Sequence, residues 1–181
     1  MRTLNLERLR GGIPALTPAV GNFLAEAAMV CLIQQGHTSG VILKVEGYFN
    51  TEFEVTWSLP EDQWLNKSWQ DLRVAAEYGG MALTILAFIE LTGYNYFERI
   101  QQGSGFDFWL GTYEEEEWKF QEKPKVAKLE ASGIFSETRG NTISMRISKK
   151  KKQTGKFSGV KIPVFIAVIE FKSPKAKIIK E

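Results

Sequence analysis

A chain of 181 residues with 44% hydrophobic and 24% charged content is long enough for one domain with a proper core, or a core with an added subdomain, and has an ordinary globular composition. The single Cys31 and single His37 exclude an internal disulfide, a CxxC zinc site and a histidine cluster. The net charge of +2 divides unevenly: residues 1–118 hold seven Lys/Arg against sixteen Asp/Glu, a net of −9, and residues 119–181 hold sixteen against five, a net of +11, so the basic third is either a footprint for polyanions such as DNA or RNA or a solvated lysine face.

Residues 1–16 read as a loose arm, and the start "MRTLNLERLRGG" lacks the apolar stretch of a signal peptide. Thr17-Pro18 then opens a helix, with threonine as N-cap and proline at the first helical position, and Gly36 ends it. Cys31 sits on that helix as a small buried hydrophobe, and His37 lies just past its end, where the helix dipole favours it. "GVILKVEG" and "TEFEVTW" read as two strands of a hairpin. In the second, Phe53, Val55 and Trp57 face one way and Glu52, Glu54 and Thr56 the other, the period of a half-exposed strand.

After the loop "SLPEDQWLNK", Ser68 caps a second helix over about 69–92, closed by Gly93. Its apolar positions follow helical spacing, and Gly79-Gly80 in its middle point to a close packing contact or a kink. The longest apolar run, "MALTILAFIEL", is about half a membrane span and contains Glu90, so no membrane attachment and a cytoplasmic location are expected. "YNYFERI", the turn "QQGSG" and "FDFWLG" make an antiparallel pair. The acidic connection Glu114–Glu117 reads as solvated loop. "KVAKLEASGI" is a third strand, a helix covers about 138–152, "IPVFIAVIEF" is a strand apolar on both faces, and "KAKIIKE" is a basic tail. The expected class is α/β with a mixed sheet: residues 1–66 form an arm, helix and hairpin packed on a core of residues 67–181, in one compact domain.

Three carboxylates stand where folding alone favours other residues. Asp107 lies between Phe106 and Phe108 in an aromatic strand, Glu130 lies in the apolar stretch "KLEASGI", and Glu77 lies in "AAEYGG" on the preceding helix. An unpaired buried charge is costly. Adjacent antiparallel strands bring Asp107 and Glu130 to one edge of the sheet, and converging carboxylates suit Mg²⁺ or Mn²⁺, which take oxygen ligands. No phosphate-binding glycine loop, nucleotide fingerprint or nucleophile elbow competes with this arrangement.

The order helix–strand–strand–strand–helix–strand, with Asp107 in "GSGFDFWLG" and Glu130 in "KLEASGI", resembles the PD-(D/E)XK nuclease-like superfamily, and within it a bacterial group. The resemblance covers about residues 67–174. It implies a restriction-endonuclease-like αβββαβ core and a metal-dependent phosphodiesterase acting on nucleic acid, with Asp107 and Glu130 on the metal and Glu77 as a third acid. The chain departs from the pattern two residues after Glu130, where Ser132 replaces the signature lysine and serves as a supporting hydroxyl or a turn residue. Lys128, on the same strand face as Glu130, is one candidate for the missing cation. The other is the stripe Arg146, Lys150 and Gln153 on the following helix, with Lys150 as the basic partner and Arg146, Lys149 and Gln153 on phosphates. Loss of the lysine altogether leaves an inactive nuclease-fold protein that binds nucleic acid or another protein. The oligomeric state stays open, a homodimer included.

Overall fold

In the computed structural model, which describes residues 1–58, 62–101, 103–114, 125–155 and 162–181, the first sixteen residues are not a loose arm. They form a strand, β1 (Arg2–Asn5), and one helical turn, α1 (Glu7–Arg10). Leu4, Leu6 and Leu9 are each at most 1% exposed, and burying these three side chains is what ties the segment down. The next helix, α2 (Pro18–Gln34), begins as expected: the Thr17 side chain accepts the Val20 amide. Cys31 on α2 is buried, and burial pushes its thiol up to about 12, which makes it a packing residue and not a nucleophile.

The hairpin β2 (Val41–Gly47) and β3 (Thr51–Thr56) pairs antiparallel, with Phe53, Val55 and Trp57 inside. A short helix α3 (Leu65–Ser68) follows. The long helix α4 (Leu72–Thr92) starts later than its expected cap at Ser68, because Ser68 closes α3 and the Asp71 carboxylate takes the Arg73 and Val74 amides. Asp71 is thus the N-cap, and its pKa is lowered chiefly by those two amides. By length and composition α4 can cross a membrane; here it lies between α2 and the sheet, with twelve of its residues buried.

The second half runs β4 (Tyr96–Arg99), β5 (Phe108–Gly111), β6 (Ala127–Ile134), α5 (Ile143–Thr154), β7 (Val164–Glu170) and β8 (Lys175–Lys180). Two expectations change. α5 starts at Ile143 and not near 138, because Thr142 supplies the cap and residues 138–141 form a tight turn closed by the Thr138–Asn141 bridge. The basic tail is strand β8, whose buried Ala176 and Ile178 alternate with half-buried Lys175 and Lys177.

Among the described residues eight strands form one mixed sheet, in the order β1-β3-β2-β8-β7-β6-β5-β4. β4, β5 and β6 form an antiparallel meander; α5 then carries the chain to β7, which lies parallel to β6. One sheet face, with Leu129, Ala131, Ala167 and Ile169, joins the large core that includes α2 and α4. The opposite face, with Ile134, Ile166 and Val168, packs on Ile143 and Ile147 of α5. The even-numbered residues of β6 therefore face α5, and that is the face on which Glu130 stands.

The glycine pair of α4 marks a close approach. A Cβ on Gly79 would lie 2.8 Å from the Ala28 Cα in α2, and one on Gly80 would lie 2.7 Å from the Gly133 Cα in β6. The helix is wedged between its two neighbours with no room for a methyl group.

Candidate functional site

Asp107 lies one residue before β5, at the close of the glycine-rich turn that follows β4. Its backbone stays in the ladder: its amide donates to the Leu129 carbonyl (3.0 Å) and its carbonyl accepts the Ile100 amide (2.9 Å). The register Phe108↔Leu129 sets Asp107 beside Glu130. The Asp107 carboxylate reaches across the strand gap and accepts the Ala131 amide at 2.9 Å. Its position is thus fixed by both backbone and side chain.

Glu130 is 2% exposed, in a strand whose neighbours are almost all apolar. Its carboxylate accepts a hydrogen bond from Lys150 Nζ of α5, and the two form an ion pair. Asp107 stands beside it across the β5–β6 pairing, and the two carboxylates act on each other electrostatically. Two carboxylates held this close out of water cannot both ionise freely. Burial first, and then the Asp107 charge, push Glu130 up to about 7, against the pull of Lys150. Asp107 is also raised, by burial, and held back by the Ala131 amide, Lys150 and Arg99.

The other expected residues fall into a separate cluster. Glu77 accepts hydrogen bonds from Ser132 Oγ (2.9 Å) and the Gly133 amide (3.3 Å), and pairs with Arg146. Arg146 also donates to Ser132 Oγ (3.2 Å) and, through Nε, to Asn141 (3.2 Å). Glu77, Ser132 and Arg146 therefore satisfy one another where α4, β6 and α5 meet. Lys128 does lie on the Glu130 face of β6, but its ammonium rests over the rings of Phe106 (4.6 Å) and Trp109 (4.8 Å). Gln153 reaches toward the Gly105 carbonyl at 3.5 Å, a long contact that ties α5 to the turn. His37 is elsewhere, its ring nitrogen against the Phe171 and Lys172 carbonyls. Of the acidic run, residues 115–117 lie outside the described residues.

A cavity of about 810 Å³ opens over the carboxylate pair. Asp107, Glu130 and Lys150 line it, as do Lys149, Lys152 and Gln153 from α5. Two further lining residues, Tyr78 and Arg99, escaped the sequence reading. Tyr78 looks like ordinary helix filler. Arg99 did carry a signal: it is one of only seven cations in the acidic stretch 1–118, and it ends a strand just before a glycine-rich turn.

Among the described residues no three His, Cys, Asp or Glu side chains group to hold a metal. The donor set that exists is the Asp107–Glu130 pair. The two carboxylates stand on paired neighbouring strands and line one cavity, and one or two carboxylates with waters and a phosphate oxygen is a common Mg²⁺ ligand set. The pair fits such an ion. No protein-family model, no curated protein and no solved structure matches the chain.

Proposed function

We propose that the protein is a divalent-metal-dependent phosphodiesterase acting on nucleic acid, built on a restriction-endonuclease-like αβββαβ core. The observation that carries this reading is the buried Asp107–Glu130 pair, paired with Lys150 from the crossover helix and opening into a cation-lined cavity. The order α4, the β4–β5–β6 meander, α5 and a parallel β7 supports it.

Asp107 and Glu130 hold Mg²⁺ or Mn²⁺, which when bound polarises a phosphoryl oxygen and acidifies a water. Lys150 stands beside them and stabilises charge that develops on the phosphate. It takes this role in preference to Lys128, whose ammonium is engaged by two ring faces. Glu77, Ser132 and Arg146 are positioning residues in this scheme: they fix the end of β6 and the start of α5, and so the distance from Glu130 to Lys150. Lys149 and Gln153 stand over the cavity on the substrate side.

One observation favours a second reading, a nucleic-acid-binding protein without hydrolysis. The place two residues after Glu130 holds Ser132, and its hydroxyl is committed to Glu77 and Arg146. Incubation with plasmid, single-stranded DNA and RNA in Mg²⁺ or Mn²⁺ separates the two. The phosphodiesterase reading expects cleavage that a chelator stops and that Asp107→Asn, Glu130→Gln and Lys150→Ala each lower by at least about 100-fold. Cleavage that survives in both carboxylate variants overturns it. Binding with no cleavage under either metal selects the second reading.

A further inference from the structure

Three cations line the cavity and form no salt bridge among the described residues: Arg99 on β4, whose charge acts on the nearby Asp107 carboxylate without pairing to it, and Lys149 and Lys152 on α5. Their neighbours differ in this respect, since Lys150 is paired with Glu130, Lys151 with Glu181 and Arg146 with Glu77. Arg99 is the more informative of the three. Its guanidinium lies 5.1 Å over the ring of the fully buried Phe108, and Nη1 touches the Met81 sulfur at 3.2 Å. A ring face and a weak sulfur acceptor fix the group in place yet leave most of its donors free. Arginine donors without a salt bridge at a cavity wall match a phosphate oxygen pair. The lysines stand on α5, which bounds the same cavity from another element.

We infer that Arg99, which lines the same cavity as Lys149 and Lys152, forms a second phosphate subsite that binds the phosphate next to the one at Asp107 and Glu130. The substrate is therefore a polynucleotide strand with at least two consecutive phosphates, threaded between β4 and α5, and not a mononucleotide. This rests on the reading that the carboxylate pair receives the scissile phosphate. A cavity of about 810 Å³ is at the upper end of small-ligand sites and far exceeds what one phosphate fills. Arg99 is a binding residue here and takes no part in bond cleavage.

The test uses the full chain with Ca²⁺ in place of Mg²⁺ or Mn²⁺, so that the carboxylate pair has an oxygen-seeking cation while binding is read without relying on turnover. Fluorescence anisotropy follows a labelled single-stranded oligothymidylate at several salt concentrations. Arg99→Gln is expected to weaken binding about tenfold, as for loss of a charged hydrogen bond, and to make the salt dependence shallower by about 0.7 in log–log slope. Arg99→Lys is expected to recover the slope, because it keeps the charge. Arg73→Gln removes a cation that is 92% exposed and does not line the cavity, and is expected to change neither. In competition, a thymidine dinucleotide with two phosphates should displace the probe better than thymidine monophosphate, and Arg99→Gln should erase that advantage. Arg99→Gln matching Arg73→Gln in affinity and slope, with its urea midpoint showing it folded, overturns the subsite. Equal competition by the two small ligands overturns it as well. Lys152→Gln, on a different element, is expected to weaken binding in the same direction, so that a folding defect at β4 cannot mimic the result. Absence of cleavage in Mg²⁺ or Mn²⁺ would sink the phosphodiesterase reading and leave these binding outcomes standing.

Discussion

Glu130 holds the most unusual position of any single residue, and its titration is measurable. Its pKa is raised from 4.5 to about 7, by burial first and by the Asp107 charge second. The folded protein thus binds this proton more tightly than the unfolded chain does. Folding takes up a proton between these two values, so this group's contribution to stability is fully present below about 4.5 and is lost as pH rises toward 7. Carboxyl ¹³C NMR on the metal-free protein should place the Glu130 midpoint near 7. Asp107→Asn removes the like charge and should move the midpoint down toward the ordinary range; an unchanged midpoint would show that the two carboxylates do not interact. At this scale the sequence was informative about which acids stand together, because antiparallel neighbours bring Asp107 beside Glu130 and a charge inside an apolar strand is costly wherever it lies. It narrowed their cationic partner to Lys150 or Lys128, and the structure pairs Lys150 with Glu130. The choice between the two depends on how α5 is rotated over β6, which no local signal gives. Glu77 shows the same limit. It was grouped with the other two acids, and the structure gives it to Ser132, Gly133 and Arg146.

Elements with a strong local code were readable from their residues alone. α2 carries Thr17-Pro18 at one end and Gly36, at φ +81°, just past the other, and the β2–β3 hairpin alternates cleanly. Elements shaped by tertiary contact were not. β1 and α1 owe their order to leucines buried against distant segments, and β8, with four charged residues among the seven of "KAKIIKE", alternates too weakly to stand out from a basic tail. The Gly79-Gly80 pair was legible as a close contact, and its second side, Gly133, was not. A Cβ on Gly133 would fall 1.7 Å from the Ala76 carbonyl oxygen, and one on Gly80 would press on Gly133 itself. Gly80→Ala and Gly133→Ala are each expected to destabilise by about 1–3 kcal/mol or more, the usual cost of overpacking, read as a lowered urea midpoint. Gly140→Ala, with no atom within 4 Å of the added carbon, is the control and should unfold like the wild type. If all three behave alike, the wedge of α4 between α2 and β6 is not what the glycines serve.

For the whole molecule the decisive strand is β8. It pairs antiparallel with β7 along six residues and parallel with β2 along four, so it is the seam through which the segments before and after residue 66 share one sheet. No local signal in "KAKIIKE" reveals a strand with partners on both sides, because both pairings span long sequence separations. The consequence concerns cooperativity. α2 and α4 form the most extensive helix contact in the molecule, and with the β2–β8–β7 ladder this joins the two segments on a helical layer and within the sheet. Ile178 is fully buried in β8. Ile178→Ala should cost about 2–5 kcal/mol, as for other deletions from a packed core. In native-state hydrogen exchange, the amides of β2 and β7 should lose the same amount of protection, because each depends on the same strand staying in place. Loss confined to β7, with β2 unchanged, would mean that the hairpin opens as its own unit and that the seam is a contact between two separately stable parts. Equal loss on both sides would make the sheet one cooperative body. The carboxylate pair would then sit on a scaffold whose stability also draws on the N-terminal segments, so that removing β1 and α1, far from Asp107 and Glu130 in the strand order, would lower the fraction of molecules with the site assembled without altering the site itself.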